Sequence, residues 1–203
     1  MSALGCRNCS VDITTADTDD ERIAVRDFLA EYIDDIAPNA VPKLQDDDLF
    51  KPLVPWVRNE SGDIVAAALT CRSQVAAGAA ALERRGGPIP TAAGRYLPVL
   101  DKHNELDLLA VRPDHRGEGL GSRLLTWMEN HLQSNGVRVW FGNVTPSLAV
   151  PELRRFYARH GFTTTNPTDG LPPLLGRIWV MPNAESPAFY FYKALRAPSS
   201  QPA

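Results

Sequence analysis

Along the first third of the chain the hydrophobic positions change period twice. Val11 and Ile13 alternate with polar residues between Cys9 and Thr15, which predicts a short strand. Thr18-x-x-Glu21 then gives a capping-box pattern, and Val25, Phe28, Leu29, Tyr32 and Ile36 recur at helical spacing before Pro38, so an amphipathic helix follows. Pro42 to Pro55 carries two turn signals and the acidic cluster Asp46, Asp47 and Asp48, expected as a solvated loop or the edge of a short helix. Val54 to Arg58 and Ile64 to Cys71 read as two strands joined by Asn59-Glu60-Ser61-Gly62-Asp63, a turn of hairpin length.

Gln74 to Leu100 breaks this rhythm. It opens as an Ala-rich, helix-capable stretch up to Arg84-Arg85-Gly86-Gly87-Pro88, continues as a Pro/Gly-containing loop, and reads as an insertion between strands. Glu105 to Val111 is a strand with acidic residues at 105 and 107, ended by Arg112-Pro113-Asp114. A helix is expected from about Gly119 to Ser134, with Leu120, Leu124, Leu125, Met128 and Leu132 on one face and Asn135-Gly136 as its stop. Val137 to Val144 reads as a strand. Pro151 suits the first position of a further helix, on which Leu153, Phe156 and Tyr157 share a face, and Gly161 caps it before a strand starting at Phe162. Ile178 to Met181 and Phe189 to Tyr192 are both strand-like, and the pattern does not choose which is the last strand of the sheet. Residues 196–203 form a polar tail, expected to be mobile.

Composition narrows the function classes. With 203 residues, 44% hydrophobic and 22% charged, the chain is expected to form one soluble domain, its core at about 9–195 and its insertion at about 74–100. A net charge of −3 removes the broad attraction to phosphate that nucleic-acid and anionic-membrane binders carry, so neither is expected as a partner. No apolar run approaches the roughly 20 residues needed to span a bilayer, and the first twenty residues lack a secretory pattern, so a cytoplasmic location is expected. Cys6-x-x-Cys9 has no second Cys/His pair at ligand spacing, so no metal is expected, and Cys71 reads as a small buried hydrophobe.

The chemistry-bearing segment is Arg116-Gly-Glu-Gly-Leu-Gly121-Ser122, placed where a strand gives way to a helix. Closely spaced glycines there let backbone N–H groups converge, the helix start adds partial positive charge, and Arg116 and Ser122 add a cation and a hydroxyl, a combination suited to a diphosphate. The Rossmann spacing fails because Ser122 stands where its third glycine would be, and no Gly-Lys-Ser/Thr completes a Walker loop. His103, His115, His131 and His160 are dispersed, and none joins a Cys or Ser in a triad pattern.

Arg116-x-x-Gly119-x-Gly121 resembles the pyrophosphate motif of the GNAT superfamily, the Gcn5-related N-acetyltransferases. Leu109-Ala110-Val111 before it, the amphipathic helix after it and Phe156-Tyr157-Ala-Arg-His-Gly161-Phe162 further on are similar to that family's consecutive motifs. The resemblance covers about residues 9 to 195. It implies an α+β fold with a mixed, mostly antiparallel sheet, flanked by helices, whose fourth and fifth strands splay around the arm of acetyl-CoA. Leu109, Ala110 and Val111 would line that arm, with Leu109 and Val111 pairing through their backbones. Gly117, Glu118, Gly119, Leu120, Gly121 and Ser122 would hold the pyrophosphate, with Arg116 at its edge.

The same resemblance makes Glu105 the candidate general base, Tyr157 the acid that meets the leaving thiolate, and Asp107 an alternative base or a contact for a cationic acceptor. His103 is a further candidate base or substrate contact. One departure is Val150, which stands where many members place a pantetheine-contacting asparagine; Asn143 is the candidate to compensate. The implied activity is direct acetyl transfer from acetyl-CoA to a primary amine of a small molecule, peptide or protein. The alternatives are a catalytically silent acyl-CoA-binding or interaction module and a nucleotide-phosphate-binding protein. Members of the family are often dimers, which makes a homodimer a candidate.

Overall fold

The computed structural model describes residues 12–85, 97–146, 149–174, 176–181 and 187–196. Cys6, Cys9, the first part of the predicted first strand, residues 86–96 of the predicted insertion and the predicted tail from 197 lie outside the described residues. β1 (Ile13–Thr15) leads into α1 (Asp19–Tyr32) through the predicted capping box. The Thr18 hydroxyl accepts the Glu21 N–H at 3.2 Å, and the Glu21 carboxylate accepts the Thr18 N–H at 3.1 Å. The helix ends a turn earlier than its apolar spacing suggests. Ile33 turns extended and Asp35 adopts φ 59°, so Ile36 lies outside α1 although it still packs on the core that α1 covers.

The acidic cluster spans the end of a 3-10 turn (Leu44–Asp46) and the start of α2 (Asp47–Phe50). Asp47 is more than a solvated edge. It pairs bidentately with the buried guanidinium of Arg22, whose remaining N–H groups donate to the carbonyls of Ala16 and Pro42, and this joins α1 to α2.

β2 (Pro55–Arg58) and β3 (Ile64–Arg72) form the hairpin, and α3 (Gln74–Arg84), capped by Ser73, opens the insertion. β4 (His103–Val111), α4 (Leu120–Ser134) and β5 (Val139–Val144) follow, then α5 (Val150–Arg159), in which Pro151 is the second residue because Val150 is already helical. β6 (Thr163–Thr165), β7 (Leu171–Leu174), β8 (Arg177–Trp179) and β9 (Phe189–Ala194) complete the order.

Seven strands form one sheet in the order β1-β2-β3-β4-β5-β9-β6, antiparallel throughout except for the parallel pair β4 and β5. The final sheet strand is therefore β9, and among the described residues β8 pairs with β7 alone, in a separate ribbon. Burial explains the choice. Phe189, Tyr190 and Phe191 are covered on both faces of the sheet, whereas Ile178 is 70% exposed.

The predicted apolar face of α4 (Leu120, Leu124, Leu125, Met128, Leu132) is buried on one side of the sheet, together with Trp140, Tyr157, Phe162 and Phe191. α1 covers the other side through Val25, Phe28 and Leu29. Further along that second side, Phe141 and Tyr190 meet Leu171 and Met181 from the β7–β8 region. Among the described residues no helix is long and apolar enough to cross a membrane.

Candidate active site

β4 and β5 are in register at His103↔Val139, Asn104↔Trp140 and Glu105↔Phe141, and no pair follows. Two local features part them. The register of β4 on β3 passes from Leu108 opposite Leu69 to Leu106 opposite Thr70, which leaves Asp107 as a bulge that bends the strand. β5 stays paired with β9 along its whole length, from Val139 to Val144, and so continues past the point where its pairing with β4 ends. At the apex stands Gly142, where a Cβ would lie 2.5 Å from the Phe191 ring and 2.6 Å from the Leu106 carbonyl, so only glycine allows this approach. Leu109, Ala110 and Val111 pair with Ala68, Ala67 and Ala66 of β3, and among the described residues no strand pairs with their other edge. That edge and β5 bound a fork.

The fork leads to the glycine turn. After the 3-10 turn Pro113–His115, Gly117 and Gly119 adopt φ of 86° and 81°, conformations that cost a side-chain-bearing residue energy. Nothing lies within 4 Å of where their Cβ atoms would stand, so the space before them is open. Gly119 is the N-cap of α4 and brings no side chain to its first turn, where the N–H groups of Leu120, Gly121 and Ser122 gather. Leu120 takes part through its backbone, since its side chain is buried in the core. At Gly121 a Cβ would meet Phe156 at 3.4 Å and Val111 at 3.6 Å, ordinary van der Waals contact that a larger side chain would extend into. Glu118 is engaged by His115 at 3.0 Å, and Arg116 turns its Nε–H onto the Val111 carbonyl at 3.2 Å. An open, uncapped cluster of N–H groups beside an exposed arginine fits the diphosphate of acetyl-CoA.

On the face away from α4, Glu105 is 2% exposed and its Oε1 has no hydrogen-bond partner. Burial pushes its carboxyl up to about 8; the charge of Asp107 adds to the rise, and the Gln74 backbone N–H at the start of α3 opposes it. Asp107, the bulge residue, reaches solvent, yet the protein packed around its carboxyl lifts it to about 6, a rise that the solvent contact tempers. Cys71 pairs with Glu105 across β3 and β4, and burial raises its thiol well above the ordinary range. His103 lies elsewhere. Its Nδ1 is 3.0 Å from the Val99 carbonyl, burial lowers its pKa, and it lines a cavity of about 440 Å³ with Lys51, Arg72, Asp101 and His131 at the opposite end of β4 from the glycine turn.

Tyr157 is buried on the α4 side, its ring stacked on Phe191 at 3.9 Å between centroids, and Phe191 is the ring that abuts Gly142 at the apex. Among the described residues nothing hydrogen-bonds its hydroxyl, and burial holds its pKa above the ordinary tyrosine value. Asn143 donates from Nδ2 to the Met181 sulfur at 3.3 Å, and Val150 packs against the large core. Sequence reasoning missed Gly142, for which a lone glycine inside a strand was the available signal. It also missed the wall beside Glu105, where Trp179 stands edge-on to Phe141 at 4.9 Å; a pairing between residues so far apart in the chain leaves no local pattern. Among the described residues no group of three or more His, Cys, Asp or Glu could hold a metal ion.

A family model described as an acetyltransferase (GNAT) domain matches residues 56–164, more than half of the chain. Similar solved structures include a GNAT-family acetyltransferase from Staphylococcus aureus Mu50, 13% identical over 92% of this chain and 100% of that one, with a TM-score of 0.63. Tetrahymena Gcn5 is 12% identical over 94% and 99% of the two chains with a TM-score of 0.58. The ribosomal-protein-S18-alanine N-acetyltransferase of Escherichia coli is 16% identical over 95% and 99%, with a TM-score of 0.53. At these identities the likeness is one of fold. No curated protein matches the chain by sequence. The family match runs through the fork strands and the glycine turn alike, and the chain therefore belongs to the GNAT acetyltransferases, acyltransferases that draw on acyl-CoA.

Proposed function

We propose that the protein transfers an acetyl group from acetyl-CoA directly to a primary amine of a small molecule or peptide. The observation that carries this reading is the buried carboxyl of Glu105 at the fork apex, unpartnered at Oε1 and poised near a pKa of 8. An amine arrives mostly as an ammonium ion and must lose a proton before its lone pair can attack a carbonyl. A general base works best when its pKa lies near the operating pH, and Glu105 meets that condition.

Acetyl-CoA supplies the acyl thioester, and the chain supplies its setting. The N–H groups of Gly119 to Ser122 and Arg116 hold the phosphates, while the free edge of Leu109 to Val111 orients the arm toward Glu105. The ammonium first gives one proton to Glu105; the neutral amine then forms the C–N bond as the C–S bond breaks, and the second proton shed by the nitrogen replaces the one that Tyr157 gives to sulfur. Tyr157, kept protonated by burial, donates to the departing sulfur. Asp107, exposed at the bulge above Glu105, meets the incoming cation first, and burial keeps the Glu105 carboxyl from bulk water. Cys71 supports direct transfer rather than an acyl-enzyme, because burial disfavours its thiolate.

The test is a panel of primary amines with acetyl-CoA, reading free CoA together with the mass of the amine product. Stoichiometric CoA and acetyl-amine are expected. Thiol release without an acetylated amine, or an acetyl group lodged on the protein, would contradict direct transfer.

A further inference from the structure

Thr70 is fully buried on β3, across from the bulge in β4. Its hydroxyl donates to the backbone carbonyl of Glu105 at 2.7 Å and accepts the indole N–H of Trp140 at 3.0 Å, and the Asn104 side chain closes on the same oxygen. One side chain of β3 therefore ties β4 to β5 at Asn104↔Trp140 and Glu105↔Phe141, the last two pairs before the strands part. Trp140 is 0% and Asn104 6% exposed, so water is a poor substitute for any of these bonds. A bulge interrupts the regular ladder, and the Thr70 hydroxyl supplies a fixed bond at the point where the ladder lapses.

We propose that Thr70 is a positioning residue whose hydroxyl pins the apex of the β4/β5 fork and so fixes the direction of Glu105 and the acyl end of the groove. The inference rests on the reading that the thioester arm of acetyl-CoA occupies the fork. The glycine turn lies at the far end of a nine-residue strand and the hydroxyl's partners are on β4 and β5, so loosening the apex leaves the phosphate cradle intact.

The experiment is calorimetric titration of wild type, Thr70→Val and Thr70→Ser with acetyl-CoA and, separately, with adenosine 3′-phosphate 5′-diphosphate, the nucleotide half of CoA. Thr70→Val keeps the side-chain shape and removes the hydroxyl. It is expected to weaken acetyl-CoA binding about tenfold, the scale of a buried hydrogen bond lost with its partners left unpaired. Binding of the nucleotide half should stay within about twofold, and Thr70→Ser should restore the acetyl-CoA affinity. Unchanged acetyl-CoA binding in Thr70→Val, or equal loss for both ligands without rescue by serine, overturns the positioning role while leaving the fork reading in place. A wild type that binds the nucleotide half but gains nothing from the acyl-pantetheine arm overturns the fork reading itself, and with it the proposal. Should Thr70→Val fail to fold, Trp140→Phe removes the N–H of the same network and must show the same selective loss.

Discussion

Glu105 and Phe141 face each other as the last registered pair between β4 and β5, with their side chains on one face of the sheet. One is a carboxyl with an unpartnered oxygen; the other is an aromatic ring covered edge-on by Trp179. The apex of the fork therefore sets a proton acceptor beside an aromatic ring, and burial there, with the charge of Asp107 adding to it, lifts the carboxyl to about 8.

That shift has a signature in stability. Below about pH 4.5, the ordinary value for glutamate, folded and unfolded chains both hold the proton. Between there and about 8 the unfolded chain releases it while the folded chain keeps it, so the contribution of Glu105 to stability falls as pH rises through this window. Glu105→Gln removes the penalty. In urea unfolding the variant should gain on wild type from pH 5 to pH 8, reaching a few kcal/mol, and the difference should vanish near pH 4. A constant difference across this range would mean that the carboxyl is not held protonated by the fold.

Tyr157→Phe should lower turnover about 10- to 100-fold and leave the thermal midpoint nearly unchanged, because the ring that stacks on Phe191 is retained and the hydroxyl has no hydrogen-bond partner among the described residues. Turnover equal to wild type would assign Tyr157 to packing alone.

Gly119→Asp and Gly121→Asp should abolish acetyl-CoA binding. The first forces a side chain into φ 81° and sets a carboxylate before the N–H cluster; the second adds a carboxylate to the first turn of α4, beside Phe156 and Val111. Near-wild-type affinity by calorimetry in either variant would remove the cradle from the account.

Asp107→Asn should raise KM about tenfold for amines carrying a second positive charge and change it little for simple monoamines, since the bulge exposes this carboxyl where a cation enters. Equal effects on both classes would show that Asp107 does not contact the acceptor's second charge.

The helices and the glycine turn were legible because their signals are local. The Thr18 capping box, the apolar face of α4 and the spacing of Arg116, Gly119 and Gly121 all lie within single windows of sequence. The partner of each strand was less visible, since Phe189 and Ile178 look alike until burial separates a central strand from a surface ribbon. Glu105 could be singled out on its strand, but its burial, its missing hydrogen bond and the Thr70 network depend on residues brought together from β3, β4 and β5. His103 shows the opposite limit. Two positions from Glu105 in sequence, it lines a different cavity with His131.

The most direct test is the pH dependence of kcat/KM for CoA release with a primary amine acceptor, measured for wild type and Glu105→Gln. The account predicts a wild-type profile that rises to a limb with its midpoint near 8, and a variant in which that limb is lost and the plateau falls by about 10²- to 10⁴-fold. The same limb and plateau in both proteins would contradict Glu105 as the base.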